Sequence, residues 1–199
     1  MKKTIMLIAC VALMLPASVA AKAKKKTVAP PLPTLEIVKK VNDKWQADNS
    51  PNVRSFWDDA AYFTGNMEAY KLTGCARYLE FSDKWARHNK WSGATETDYS
   101  KWLYKEYGES MQHVLFGDWQ ICFQTYLDMY EMNPDPYKIR RAKEVMDYIV
   151  CSKQNDYWWW ADALYMVMPV FTKLYKATGD VRYLDKLYDN FRFADDLMF

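Results

Sequence analysis

The segment from Trp158 to Met166 points most directly to chemistry. It places one carboxylate, Asp162, just after three tryptophans and at the start of an apolar helical run. A carboxylic acid in an aromatic, poorly hydrated environment keeps its proton to a higher pH than one in water. A flat aromatic wall also suits the face of a sugar ring. Asp162 is therefore our first candidate for a general acid that acts on carbohydrate. The alternative is an ordinary helix-start acid, favoured by the helix dipole, beside tryptophans of the core.

Two more aspartates occupy comparable positions in similar segments. The segment around Asp59 repeats the Trp-x-Asp-x-x-Tyr spacing found around Asp162, and a third copy starts at Asp118. The matching residues are Trp57, Asp59 and Tyr62 in the first segment and Trp160, Asp162 and Tyr165 in the last. Two carboxylates at one cleft fit acid/base chemistry on glycosides, in which one is protonated and the other ionised. The alternative for each, and above all for Asp59, is an ordinary helix-start acid.

From Thr34 onward the sequence predicts helices joined by turns. Apolar residues recur at helical spacing, strand-like alternation is absent and glycine is scarce. Thr73-Gly74 and Thr178-Gly179-Asp180 predict helix stops at glycine, and Asp180 suits the next N-cap. Asp135 predicts another cap, with Pro136 in the first helical position. The expected elements are one helix at about 35–47, three helix–turn–helix hairpins that begin near Asp59, Asp118 and Asp162, and a second helix of the middle hairpin at about 137–151.

The unequal hairpins indicate a ring rather than a regular solenoid. Tetratricopeptide-type solenoids repeat at a constant period of about 34 residues, whereas these three aspartates are unevenly spaced. The expected fold class is all-α, an α/α toroid whose inner ring consists of the first helix of each hairpin. The starts of these helices face one mouth, so that Asp59, Asp118 and Asp162 converge on one cleft. The polar and aromatic loop 91–104 is expected to overhang the same mouth as a substrate wall.

The first 34 residues are interpreted as an export signal and a spacer. Residues 1–20 have the form of a secretory signal peptide: two early lysines, a short apolar run, and a cleavage site at Ser18-Val19-Ala20. A lipoprotein anchor at Cys10 is the second interpretation. Residues 21–34 are typical of a disordered spacer rich in Lys, Ala and Pro, which leaves the domain at 35–199. The protein is expected to be periplasmic or secreted, and no later segment predicts a membrane span.

Charge and metal-binding residue types argue against several functions. The chain has a formal net charge of +2, but its first 26 residues hold six lysines and no acid, so the remainder is net negative. A mildly acidic domain argues against nucleic acid as a partner. Three cysteines follow the signal, Cys75, Cys122 and Cys151, without CxxC spacing, and the chain has 2 histidines. This set predicts neither a disulfide framework nor a metal site.

Three blocks of the sequence carry a resemblance to a known family. They are FWDDAAYFTGNMEAYKLTGCARYLEF (56–81), FGDWQICFQTYLDMYE (116–131) and WWWADALYMVMPVFTKLYKATGDVRYLDK (158–186). The third is the most specific, because it is similar to a Trp-x-Asp-x-Leu-Tyr-Met-x-x-Pro motif. Together the blocks resemble glycoside hydrolase family 105, the unsaturated rhamnogalacturonyl hydrolases, with family 88, the unsaturated glucuronyl hydrolases, as its relative.

The resemblance implies a six-hairpin α/α barrel and a reaction. The reaction removes a 4,5-unsaturated uronic acid from the non-reducing end of pectin-derived rhamnogalacturonan oligosaccharides, with no metal or organic cofactor. An aspartic acid protonates C4 of the vinyl ether and helps water add at C5, and the resulting hemiketal releases the sugar. By motif, Asp162 matches the general acid/base, and Asp118 matches a second aspartate that steadies the water or the sugar. The candidate sugar-binding residues are Trp57, Asp59, Trp119, Trp160 and Tyr165.

Two departures from the family pattern bear on activity. Trp119, Cys122 and Phe123 stand where the family has small or polar residues and a glycine, which is expected to change the floor of the cleft. Three hairpins are half of the implied six, and the sequence ends at Phe199 within a predicted helix. We therefore expect the chain to be truncated and inactive alone, with the arginine and histidine that hold the sugar carboxylate beyond Phe199.

Two other functions stay open at this point. One is a non-catalytic helical module that binds carbohydrate or a partner through the aromatic cleft. The other is an α/α-barrel lyase or epimerase, which needs a tyrosine, histidine or arginine as base. His113 lies five residues before Asp118, but a lone histidine beside a helix start is more often structural. An oligosaccharide is the one partner expected, and no oligomeric state is predicted.

Overall fold

The computed structural model describes residues 33–199, which contain eight α-helices, one 3₁₀ turn at Tyr99–Lys101 and no strand. The helices are α1 (Pro33–Asp48), α2 (Trp57–Thr73), α3 (Ala76–His88), α4 (Gly117–Gln120), α5 (Cys122–Met132), α6 (Pro136–Cys151), α7 (Asp162–Thr178) and α8 (Arg182–Met198). The predicted signal peptide and spacer fall almost entirely outside this range and stay predictions, although Pro33 and Thr34 already belong to α1. No helix within 33–199 is long and apolar enough to cross a bilayer.

The helices form two layers that follow the predicted hairpins. The inner layer consists of α2, the α4–α5 rod and α7, and the outer helices α3, α6 and α8 each pack on the inner helix that precedes them. α1 packs on α2. α4 and α5 form one rod because Ile121, between them, keeps right-handed helical angles (φ −55°, ψ −34°). The predicted arrangement, one helix followed by three helical hairpins, is confirmed.

The core lies between the two layers and is rich in aromatic residues. Phe63 of α2 stacks on Trp85 of α3, with ring centroids 4.0 Å apart. Phe171 of α7 packs edge to face against Trp158, which precedes α7, and against Tyr183 of α8. The ring centroids are 5.9 and 6.3 Å apart. Burial of each such ring contributes about 1.5–3 kcal/mol, so these contacts help to hold α3 on α2 and α8 on α7.

The turns of the first and third hairpins are built alike, as the sequence predicts. Gly74 ends α2 and Gly179 ends α7, both in the left-handed region, with φ of 67° and 74°. Their N–H groups donate to the carbonyls of Tyr70 and Tyr175 at 2.8 and 2.7 Å. In both turns the threonine before the glycine donates its hydroxyl to the carbonyl four residues back, at 2.7 Å. The repeated Thr-Gly pair therefore sets the direction of α3 and α8.

The middle hairpin uses the predicted cap instead of a glycine. Asp135 accepts a hydrogen bond from the N–H of Tyr137 at 3.0 Å, and Pro136 occupies the first position of α6. α6 ends at Cys151, as predicted. The proline is tolerated there because the first N–H groups of a helix have no intrahelical acceptor.

Loop 91–104 does not form the predicted substrate wall. Three of its four aromatic residues, Trp91, Trp102 and Tyr104, are buried in the core, and the fourth, Tyr99, is exposed but packs against Tyr148 of α6. Arg141, on outer helix α6, donates to the carbonyls of Ala94 and Glu96 and lies over the Trp102 ring. The loop is therefore fastened to the outer layer, where its aromatic residues fill space between helices.

Candidate active site

The starts of the three inner helices meet through aromatic contacts. The Phe56 ring, just before α2, packs against Trp119 of α4, with centroids 4.8 Å apart. The Phe116 ring, just before α4, packs against Trp160, just before α7, at 4.6 Å. These contacts bring the first turns of the inner helices to one end of the layer. The acids on those turns consequently share one region.

Asp118 is the buried acid of this region. Its side chain is 4% exposed, and its Oδ1 has no hydrogen-bond partner among residues 33–199. The pKa of Asp118 is raised to about 6, chiefly by burial and then by the charges of Asp162, Glu109 and Asp58, in that order. A carboxyl with this pKa exchanges its proton near neutral pH, which suits a general acid or base.

Asp162 does not have the environment that the sequence suggested. Its side chain is exposed at the start of α7, so the prediction that indole rings keep Asp162 in a poorly hydrated place is wrong for the described residues. The tryptophans before it turn elsewhere: Trp158 is buried against Phe171, and Trp160 lies on Phe116. The charge of Asp162 nevertheless raises the pKa of Asp118, so the two carboxylates lie close enough for their charges to interact.

Gly117 allows Trp160 to cover the start of α4. A Cβ atom at Gly117 would lie 3.2 Å from the Trp160 ring and 3.2 Å from Val167, closer than most real contacts. The absence of a side chain there lets the indole approach the α4 backbone directly before Asp118. Trp160, part of the aromatic wall predicted for Asp162, therefore packs beside Asp118.

Asp58, rather than Asp59, is the acid of α2 that acts on Asp118. The charge of Asp58 contributes to the raised pKa of Asp118, while Asp59 does not act on it. Asp59 is half-buried, and burial raises its own pKa. Its neighbour Trp57 is 41% exposed and is free to contact a ligand.

Arg54 and Glu109 border the site and were missed by the sequence analysis. Arg54 donates to Glu109 at 2.5 Å and to Asp58 at 2.6 Å, and Tyr107 donates its hydroxyl to Glu109 at 2.6 Å. The four-residue spacing of Arg54 and Asp58 could have signalled their pairing. No local pattern connects Arg54 to Glu109, because a long irregular loop brings Glu109 back to the start of α2.

The predicted sugar-binding tyrosine and tryptophans separate into two groups. Tyr165 is exposed, and its hydroxyl lies 2.7 Å from Thr64 Oγ1 across the inner layer. Trp160 is half-buried and Trp57 is exposed, so each presents some ring surface. Trp119 is only 3% exposed and belongs to the core, so its predicted contact with sugar is wrong.

Cys122 and Phe123 do not form a cleft floor. Both are buried in the core, and burial raises the pKa of the Cys122 thiol far above its ordinary value. The family departure at these positions therefore changes core packing rather than the cleft. The expected effect on the floor is not observed.

His113 packs as a structural residue near the mouth. It is buried, its Nδ1 lies 2.8 Å from Ser110 Oγ, and a Cβ at Gly108 would lie 2.1 Å from its ring. Among residues 33–199, no group of three or more His, Cys, Asp or Glu side chains is arranged to hold a metal ion.

Two solved structures are similar to this chain over the same region. A protein described as a polysaccharide lyase is 54% identical, with a TM-score of 0.80, over 83% of this chain and 46% of that chain. A glycosyl hydrolase family 88 protein from Bacteroides vulgatus is 51% identical, with a TM-score of 0.81, over 83% of this chain and 47% of that chain. The likeness confirms the α/α class, and the chain spans about half the length of each.

The curated proteins and the family models agree with this likeness. An unsaturated 3S-rhamnoglycuronyl hydrolase from Formosa agariphila is 25% identical over 138 residues, which are 66% of this chain and 34% of that protein. The model of Glycosyl Hydrolase Family 88 matches residues 34–199. The match is to family 88, named above as the relative, and assignment to family 105 stays a prediction. The chain belongs to glycosyl hydrolase family 88.

Proposed function

We propose that this domain serves in the removal of a 4,5-unsaturated uronic acid from the non-reducing end of an oligosaccharide. The observation that carries the proposal is Asp118, a buried carboxyl without a partner whose pKa is about 6, beside the exposed Asp162 in a family 88 domain. The name of the Formosa agariphila relative supports a uronic acid linked to rhamnose. We further propose rhamnogalacturonan fragments, from pectin, as the substrate.

The two aspartates act on opposite stages of the addition of water. Below about pH 6 Asp118 holds a proton, because burial and the charge of Asp162 both oppose its ionisation. That proton is delivered to C4 of the vinyl ether, and the ionised carboxylate takes a proton from the water that adds at C5. The hemiketal formed at C5 then opens and releases the sugar. In this proposal Asp118 is the proton donor, and the exposed Asp162 is the carboxylate that takes the proton from water.

Exposed rings at the mouth provide the sugar-binding surface. Trp57, Trp160 and Tyr165 present ring surface around the first turns of α2 and α7. A sugar ring packed on these faces excludes water from the vinyl ether, apart from the water that is bound by the carboxylates and adds at C5. The sugar carboxylate is not expected to bind Arg54, because Arg54 already donates to Glu109 and Asp58.

The test follows the absorbance band of the unsaturated uronide. Residues 33–199 replace the matching segment of the Bacteroides vulgatus protein, which is 51% identical, and the chimera and its parent receive an unsaturated rhamnogalacturonan disaccharide. We expect the band to disappear with both proteins, and to persist when Asp118→Asn or Asp162→Asn is introduced into the chimera. Turnover within about tenfold of the unchanged chimera, equivalent to about 1.4 kcal/mol, would overturn the role of that residue.

The same assay separates the other candidate functions. The relative described as a polysaccharide lyase, 54% identical, favours lyase chemistry as the second candidate. A lyase creates the band from a saturated polysaccharide, whereas a hydrolase removes it. A binding module changes neither, but the unsaturated disaccharide then quenches tryptophan fluorescence in a saturable manner. The 199-residue chain alone is expected to leave the band unchanged, and measurable turnover by it would contradict that expectation.

A further inference from the structure

Helix α7 contains a proline whose missing hydrogen bond is supplied by another helix. Pro169 lies inside α7 and has no N–H, so the carbonyl of Tyr165, four residues earlier, lacks its usual intrahelical donor. Gln124, on α5, donates its side-chain Nε2 to that carbonyl at 2.8 Å and to the carbonyl of Met166 at 2.9 Å. A carboxamide nitrogen carries two hydrogens, so it can serve both acceptors. Gln124 is 5% exposed, so water does not readily compete for these bonds.

The position of these bonds matters for the candidate site. Tyr165 follows Asp162 by one helical turn, and its hydroxyl lies 2.7 Å from Thr64 Oγ1 of α2. Lys173, two turns further along α7, pairs with the buried Asp128 of α5 at 2.8 Å. The first half of α7 is thus held to α5 through its backbone and to α2 through one hydroxyl. Asp118 lies in the first turn of the rod that carries Gln124.

We propose that Gln124 is a positioning residue: its carboxamide replaces the N–H that Pro169 removes, and it thereby fixes the first turn of α7, with Asp162, relative to the rod that carries Asp118. This inference rests on the proposed function only for its effect on catalysis. The structural part concerns two helices and is testable without a substrate.

The structural test is a double-mutant cycle between Gln124→Met and Pro169→Ala in the 199-residue protein. Gln124→Met alone is expected to lower the midpoint of thermal unfolding. Pro169→Ala returns an N–H to the Tyr165 carbonyl, so the same Gln124 substitution should lower the midpoint much less in that background. If Gln124→Met alone does not fold, the double variant is still expected to fold. The proposal would be overturned if Gln124→Met lowered the midpoint equally with proline and with alanine at position 169, or if the double variant did not fold.

Gln120→Met is the matched control. Gln120 is also buried and lies one turn earlier on the same rod, but its Nε2 donates to the carbonyl of Val114 at 3.0 Å, outside α7. Gln120→Met is expected to lower the midpoint of thermal unfolding by the same amount whether residue 169 is proline or alanine. Rescue of Gln120→Met by Pro169→Ala would show a general stabilisation and would overturn the specific pairing.

A second readout distinguishes positioning from simple stability. The carboxyl of Asp118 is titrated by ¹³C NMR in Gln124→Met, where its pKa is expected to fall, because α7 loosens and both the burial and the charge of Asp162 weaken. The other charged groups near Asp118 are not on α7 and are expected to stay in place. They are Glu109 and Asp58, which also raise this pKa, and Arg54, which pairs with both of them. An unchanged Asp118 titration would refute positioning, even if stability fell. If the double-mutant cycle gives the expected result but the chimera does not remove the uronide band, only the proposed reaction is refuted.

Discussion

The burial of Asp118 predicts an unusual dependence of stability on pH. Its pKa is about 6 in the folded chain against an ordinary value of 3.8, a difference of about 2.2 units. At about 1.36 kcal/mol per unit, the ionised group destabilises the folded state by about 3 kcal/mol. Between pH 4 and 6 the folded state holds a proton that the unfolded state has released. The free energy of unfolding therefore falls as the pH rises through this window, and it levels off above it.

Asp118→Asn removes the buried ionisable group and keeps the shape of the side chain. The variant is expected to be more stable than the parent by up to about 3 kcal/mol at pH 8, with the difference below about 1 kcal/mol at pH 4. The assay is urea unfolding followed by tryptophan fluorescence at each pH. Asp196→Asn, at an exposed position on α8, is the control and should show no pH-dependent difference. A difference between parent and Asp118→Asn that does not change with pH would refute the reasoning.

Three further predictions use the same unfolding assay. Gly65→Ala, in open space within α2, should stabilise by about 0.5–1 kcal/mol, whereas Gly179→Ala, at φ +74°, should destabilise by about 1 kcal/mol; effects of the same sign would contradict the assigned backbone angles. Gly117→Ala should cost about 1–3 kcal/mol and change the tryptophan emission, and a neutral effect would show that the indole does not press on α4. Lys173→Met should cost about 2 kcal/mol, because the buried Asp128 keeps only one cationic partner; no loss would mean that the pair is not formed in solution.

The helices and their turns could be predicted because their signals are local. The Thr-Gly pairs, the Asp135-Pro136 cap and the apolar stripes each specify backbone geometry within a few residues. The observed α6, Pro136–Cys151, begins one residue before the predicted start and ends at the predicted residue. The three-hairpin order follows from these boundaries because short turns leave consecutive helices side by side.

The environment of the acids could not be predicted in the same way. Whether Asp118 or Asp162 is dry depends on which way Trp158 and Trp160 turn, and that is decided by contacts with Phe171 and Phe116 from distant parts of the chain. The same holds for Glu109, which an irregular loop brings to Arg54. The donation from Gln124 to the carbonyl freed by Pro169 also joins two helices whose sequences show no common pattern.

The direct test of the central claim is the coupling between the two aspartates. The carboxyl of Asp118 is titrated by ¹³C NMR in the parent protein and in Asp162→Asn. The account predicts a pKa of about 6 in the parent and a lower value in the variant, because the charge of Asp162 is, after burial, the largest cause of the elevation. An ordinary carboxyl pKa in the parent, or a titration that Asp162→Asn leaves unchanged, would contradict the claim that the two acids share one site.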